Sequence, residues 1–218
     1  MDDRSIIPAS TAIETFRDSG YKSTASALAE LIDNSIEADA DNIQIIAFEK
    51  EIEGRHRIAT KISEIMVYDD GGGMPESVLE ICLQFGNGTR LATREGIGRF
   101  GIGLPNATVS QCKRVEVYSW QNERCFYTYL DVDEVKNESQ HDVNSVQPVA
   151  MPERLLRSIK GTVGKSGTII LWKSCDRLDV SRAKTLFKRV EKELCRSYRH
   201  FLDSDDTYGR HRDIKLIN

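Results

Sequence analysis

The sequence predicts an α+β fold: a two-layer sandwich in which one mixed, mainly antiparallel sheet is covered by helices on one face. Three observations lead there. Strand-like runs come in pairs joined by short turns, helical runs lie between the pairs, and strict βαβ alternation is missing. Nothing suggests a doubly wound parallel sheet. At 218 residues the chain can form one large domain, or one domain with a short appendage, and bury a core without disulfide staples.

A first helix is expected over Ser10–Arg17, ended by Asp18-Ser19-Gly20, where glycine can take the left-handed capping conformation. A second is expected from an N-cap at Ser23 or Thr24 to about Ala38. Ala25, Leu28, Ala29, Leu31, Ile32 and Ile36 give it broad apolar coverage, which Glu30, Asp33, Asn34 and Glu37 interrupt at spacings of three and four. Those four residues form one polar column on a mostly buried helix. Asn42–Phe48 and Ile62–Tyr68 read as strands of a hairpin turning at Glu53-Gly54-Arg55. Behind the turn 69–73, Pro75 opens a short helix whose apolar face is Val78, Leu79, Cys82 and Leu83. Residues 86–103 are polar and glycine-rich, a long loop of the kind that is usually functional inside a compact domain. Pro105–Gln111 reads as a helix, Arg114–Trp120 and Cys125–Asp131 as an antiparallel pair, and 136–147 as unpatterned. A short helix over Pro152–Ile159, a strand over Thr168–Lys173 and a last helix from Val180 to Leu202 with Asp179 as N-cap complete the reading.

Composition names no function. Apolar (39%) and charged (29%) fractions are ordinary, and 7% aromatic residues give no hint of a stacking surface for single-stranded nucleic acid. Cys82, Cys112, Cys125, Cys175 and Cys195 are scattered, without zinc-type spacing, and read as reduced thiols. The start MDDRSIIPAS lacks the regions of a signal peptide, and no apolar run approaches the roughly 18 residues of a membrane span, so a cytoplasmic protein without membrane contact is expected. The net charge of −4 divides into +4 over residues 177–218 and −8 over residues 1–176. A basic end can attract nucleic acid, but signs mixed this closely read as the solvated face of a helix.

Chemistry concentrates in three elements. Buried polar groups cost several kcal/mol unless something meets them, so the Glu30/Asp33/Asn34 column implies a ligand, a metal or a hydrogen-bond network, or else an exposed amphipathic face. Asparagine offers an oxygen suited to Mg²⁺, and a glutamate one turn earlier could orient or deprotonate a water. Asp69-Asp70-Gly71-Gly72-Gly73-Met74 follows a strand directly. It can place a carboxylate at a sheet edge where a base approaches the backbone, or be a plain turn. Gly96-Ile97-Gly98-Arg99-Phe100-Gly101-Ile102-Gly103 contains GxGxxG, but Asn87–Glu95 before it does not read as the strand a dinucleotide fold requires. Glycines leading into a helix still leave N–H groups free for phosphate.

In this order the three elements resemble the GHKL family of ATPases, which includes type II topoisomerase ATPase domains, the chaperone Hsp90, MutL and the MORC proteins. LAELIDNSIEADA looks like the family's N box, DDGGGM like its adenine box, GRFGIGLP like its phosphate and lid box, and SGTIILW like the strand carrying its threonine. The resemblance covers roughly Ser23–Trp120, recurs at Gly167–Trp172 and is weak over 121–166. It implies the Bergerat fold, with ATP and Mg²⁺ as ligands. By it Glu30 is the general base, Asn34 the magnesium ligand with Asp33 beside it, and Asp69 the acceptor for the adenine amino group. Gly71, Gly73 and Met74 shape the adenine pocket. Gly98, Arg99, Phe100, Gly101, Ile102 and Gly103 meet the phosphates, Thr168 contacts the adenine end, and residues 86–100 form a lid.

The same resemblance divides the chain into an ATP-binding domain over 1–202 and the start of a transducer-like domain over 203–218. The ending CRSYRHFLDSDDTYGRHRDIKLIN looks most like MORC-type modules. A lysine that such relatives bring to the γ-phosphate from the following domain is not among these residues, so ATP binding with weak turnover is expected. The resemblance implies a magnesium-dependent ATPase switch or clamp that forms an ATP-dependent homodimer within a larger protein, with DNA or a protein as client. A nucleotide-sensing module without turnover, or a kinase of the same fold, are the alternatives. Glu30 argues against the kinase, because the phosphotransfer branch usually carries asparagine there.

Overall fold

The structure is a computed structural model and describes residues 8–53, 58–86, 103–122, 124–203, 205 and 210–218. In chain order the elements are α1 (Ala9–Ser19), α2 (Thr24–Glu37), β1 (Asn42–Glu53), β2 (Ile58–Asp69), α3 (Glu76–Leu79), α4 (Gly103–Val109), β3 (Arg114–Gln121), β4 (Arg124–Asp131), α5 (Val132–Lys136), β5 (Gln147–Pro148), α6 (Glu153–Ser158), β6 (Ser166–Lys173), α7 (Ala183–Ser197), α8 (Arg199–Leu202) and β7 (Asp213–Ile217). The strands form a seven-stranded sheet ordered β5-β4-β3-β6-β2-β1-β7. Every pairing is antiparallel except β1 with β7, so the sheet is mixed and mainly antiparallel, as the sequence predicts. The segment 203–218 thus contributes β7 to this sheet, where Asn42 pairs with Asp213 and Ile46 with Ile217.

Side-chain alternation along the strands sorts two cores. Ile43, Ile45, Ile65, Val67, Val115, Val117, Ile170 and Trp172 face the helical layer, where they meet Leu28, Leu31 and Ile32 of α2, Leu186 and Val190 of α7, and Ala107 of α4. Ile46, Met66, Tyr68, Tyr118, Trp120, Ile169 and Leu171 point the other way. They gather a smaller cluster with Leu155 of α6 and Ile159 just beyond it. No helix among the described residues is long and apolar enough to cross a membrane.

Local expectations hold best where a cap and an apolar stripe agree. Helix α2 starts behind Ser23, whose side chain accepts from Ser26 N at 3.4 Å. Gly20 differs from its expected role: its φ of −72° is extended, not left-handed. Glycine is needed there because a Cβ would fall 2.6 Å from Cβ of Ser110, where the chain passes close to the end of α4. The single last helix expected over Val180–Leu202 is α7 and α8, broken at Tyr198 (φ −112°, ψ 19°). Tyr198 leaves the helical course while its hydroxyl donates to Asp33 Oδ1 at 2.6 Å, with the Ala29 carbonyl 3.0 Å from the same oxygen.

Asp179 is not the N-cap of α7. It accepts from Thr24 N at 3.1 Å and pairs with Arg189, so it holds the first turn of α2 instead. The first N–H of α7, on Ala183, donates to Glu49 Oε1 of β1 at 2.9 Å. Helix α5 falls just ahead of the stretch read as unpatterned, started by Asp131 Oδ1 accepting from Asp133 N at 2.9 Å. Because the start of α7 is capped from a strand, Glu49→Ala is expected to destabilise the fold by about 1–2 kcal/mol. Glu49→Gln, which keeps an acceptor, should cost less, and urea unfolding of the two variants measures the difference.

Candidate functional site

Helix α2 presents Glu30, Asp33, Asn34 and Glu37 half-buried on one side, while Leu28, Leu31, Ile32 and Ser35 are buried on the other. Glu30 is hydrogen-bonded at one oxygen and closely approached at the other. Tyr21 donates its hydroxyl to Oε2 at 2.8 Å, and Oε1 lies against the first residue of α4. A Cβ on Gly103 would stand 1.8 Å from that oxygen, so any other residue there must displace the carboxylate. The start of α4 and the middle of α2 therefore meet at Glu30. Gly98, Arg99, Phe100, Gly101 and Ile102, with most of the expected lid, lie outside the described residues.

Asp33 accepts the Tyr198 hydroxyl, and burial holds its carboxyl above the usual carboxylate range. No described partner hydrogen-bonds the Asn34 side chain, which leaves its oxygen available as a hard ligand. Among the described residues, no group of three or more His, Cys, Asp or Glu side chains converges to hold a metal. A cation at Asn34 would draw its other ligands from phosphate and water, as magnesium commonly does.

Asp69 ends β2, where it pairs with Ile43 of β1 on one side and Thr168 of β6 on the other. It is 4% exposed, and burial pushes its carboxyl up to about 7 against the donors that favour the charge. Gly71 N donates to Oδ1 at 3.0 Å, and Ser35 Oγ lies 3.3 Å from Oδ2, its one proton shared between that oxygen and the Leu31 carbonyl at 3.0 Å. Ser35 adjoins Asn34, so this contact joins the strand end to the polar column of α2. Asp70 does separate structural work: its Oδ1 accepts from Asp41 N and Asn42 N at 2.9 and 2.8 Å and anchors the start of β1.

Close backbone approach dictates the glycines around Asp69. A Cβ on Gly71 would fall 2.7 Å from the Ala38 carbonyl, and one on Gly73, at φ +66°, would fall 2.4 Å from the Trp120 carbonyl. Gly167 meets Asp69 in the same way, its Cβ position 2.3 Å from the Asp69 carbonyl. Met74 N donates to Ser119 Oγ at 2.7 Å, and that oxygen lies 3.1 Å from Thr168 Oγ1. Thr168, Ser119 and the backbone of Met74 are thus one chain beside Asp69.

Sequence reasoning missed Tyr21, Ser35, Ser119 and Tyr198. Ser119 leaves a trace, a small polar residue inside the apolar strand VEVYSW, and Ser35 lies within the N-box stretch. Tyr21 and Tyr198 leave none, because nine and 165 residues separate them from the carboxylates they meet.

Over 89 residues the chain is 30% identical to Protein MICRORCHIDIA 5 of Arabidopsis thaliana, a stretch that covers 41% of this chain and 12% of that relative. Residues 21–162, which carry Glu30, Asn34, Asp69 and Gly103, match the profile of the histidine kinase-, DNA gyrase B- and HSP90-like ATPases. With that match spanning more than half its length, and a mixed sheet layered with helices behind it, the chain belongs to this family of GHKL ATPases.

Proposed function

We propose that the chain binds ATP with Mg²⁺ and hydrolyses it, with adenine at Asp69, the metal at Asn34 and Glu30 as general base. The observation that carries this reading is the contact between Ser35 and Asp69, which puts the buried carboxylate of β2 beside the helix that bears Glu30 and Asn34. Asp69 suits an exocyclic amino group: it is shut away from water, and the Gly71 and Ser35 contacts leave acceptor capacity on its oxygens. The Thr168 hydroxyl beside it, backed by the buried Ser119 hydroxyl, can exchange hydrogen bonds with a base edge or a bridging water. Bound Mg²⁺ would supply charge to neutralise the phosphates. Glu30, one turn before Asn34, then lies on the face toward the phosphates and can accept a proton from water. Closure of residues 86–100 over the nucleotide, ATP-dependent pairing of two copies and action on DNA or a protein client belong to the same reading, supported by the family resemblance.

The state of Asp69 gives this reading a pH signature. Adenine's amino group needs the ionised carboxylate, whereas in the free protein that carboxyl holds its proton up to about pH 7. Affinity for ATP is expected to be full above that pH and to fall by up to about tenfold per unit below it. Calorimetry between pH 8 and pH 5.5, in buffers of different ionisation enthalpy, reads both the fall and the proton released; pH-independent affinity would remove the adenine role. For folding, a raised carboxyl contributes stability that is complete below about pH 4 and lost as pH rises through about 7. Asp69→Asn should therefore bind ATP at least tenfold more weakly yet unfold about 2–5 °C higher at pH 8, the gain disappearing near pH 4. Thermal scans at the two pH values check it.

Glu30→Gln is expected to keep ATP affinity within about threefold while phosphate release falls at least 100-fold. Hydrolysis at the unmodified rate would exclude Glu30 as the base.

A further inference from the structure

Glu30 is held by a residue outside every motif the sequence displays. Tyr21 lies in the turn between α1 and α2, and its hydroxyl donates to Glu30 Oε2 at 2.8 Å. The contact is braced from several sides. The ring is half-buried against the main core, and the Tyr21 carbonyl accepts from Gln111 Nε2 at 2.8 Å. Gln111 is itself buried and accepts the Thr24 hydroxyl at 2.8 Å. Gly20 allows the approach, since a side chain there would strike Ser110 and the Phe16 carbonyl. Burial, then the neighbouring Glu30, pushes the phenol up to about 12, so it remains an O–H donor through the neutral pH range.

We propose that Tyr21 is a positioning residue for ATP hydrolysis: its hydroxyl fixes Oε2 of Glu30, so that Oε1 is the oxygen that receives the proton of the attacking water. This rests on the reading of Glu30 as general base. A glutamate has three side-chain torsions, and a base displaced by about 1 Å can lose on the order of 100-fold in rate. Here one oxygen is pinned by Tyr21 and the other lies where only a glycine, Gly103, leaves room. In the step itself the water proton passes to Oε1 and the water oxygen bonds to the γ-phosphorus. The β–γ bridging oxygen departs with the electron pair of its bond, as ADP. Tyr21 gives up no proton at any point.

The test is phosphate release by this chain over a range of ATP concentrations, with single-turnover measurements at excess protein to capture slow hydrolysis. Tyr21→Phe keeps the ring and removes only the donor. It should lower kcat roughly 10- to 100-fold, leave KM for ATP within about twofold and shift Tm by no more than about 2 °C. Replacing Tyr21 by 4-aminophenylalanine, which carries an N–H donor at similar reach, should restore most of the rate. Replacing it by 4-methoxyphenylalanine, which has no donor, should not. An unchanged kcat in Tyr21→Phe alongside an inactive Glu30→Gln would overturn the positioning role while leaving the general base in place. Equal rates for the amino and methoxy replacements would overturn it too, and that comparison decides the matter if Tyr21→Phe folds poorly. Hydrolysis that does not depend on Glu30 would instead remove the base, and Tyr21's role with it.

Discussion

A carboxylate withdrawn from water at the end of β2 sets the terms for everything around it. An isolated charge in a core is costly enough that the group either finds donors or keeps its proton, and Asp69 does part of each. Its donors come from the turn that follows it and from α2, so the strand end, the glycine turn and the helix must stay in register for the carboxyl to be tolerated at all. That register in turn forces backbone so close to Ala38, Trp120 and Asp69 that Gly71, Gly73 and Gly167 respectively have no room for a side chain. The site is therefore expensive to the fold when nothing is bound, and a ligand offering an N–H would relieve part of that cost.

Helix α2 is the second fixed part, and it is positioned almost entirely by groups distant in sequence. Asp179 takes its first-turn N–H, Gln111 takes the Thr24 hydroxyl, and Tyr198 reaches both the Ala29 carbonyl and Asp33. Its apolar side packs on the sheet, with Leu28, Leu31 and Ile32 fully buried. Packing fixes the helix against translation, while these polar contacts fix where Glu30 and Asn34 stand along it. At the C-terminal end of α2, Arg212 donates to the Ala40 carbonyl and to Asp39, and Arg210 pairs with Asp39 and Asp41. The approach to β7 is thereby tied to the corner where α2 turns into β1. Ala38, in that same corner, accepts from Gly72 N at 2.8 Å, so the last strand and the glycine turn share one anchorage.

Much of the candidate site was legible because its residues are local in sequence. Glu30 and Asn34 stand one turn apart on a helix whose apolar stripe declares its phase, and Asp69 closes a strand whose β-branched run ends in glycines. The strand pairs around 53–58 and 121–124 were legible for the same reason, since a hairpin needs only neighbours and a turn. Tyr198 broke the expected last helix although its apolar spacing continues the stripe. The hydrogen bonds it makes to α2 outweigh one further helical residue, and no local pattern records a partner 165 residues away. The cap of α7 was misplaced on Asp179 for a related reason: an acid ahead of a helix is a sound local signal, but this one was already engaged with Thr24 and Arg189.

The fold class, the helix and strand that carry Glu30, Asn34 and Asp69, and the glycines that let backbone crowd against them are all written in local sequence. These follow from periodicity, turn chemistry and short spacings, all of which operate over a few residues. What each polar group faces is instead a product of long-range packing. It placed Ser35 on Asp69, Tyr21 on Glu30, Tyr198 on Asp33 and Glu49 at the start of α7, and it seated β7 parallel to β1 at the edge of the sheet. A hydrogen bond needs a partner at about 3 Å and a definite angle, and such a partner can come from anywhere along the chain once the sheet has brought its strands together.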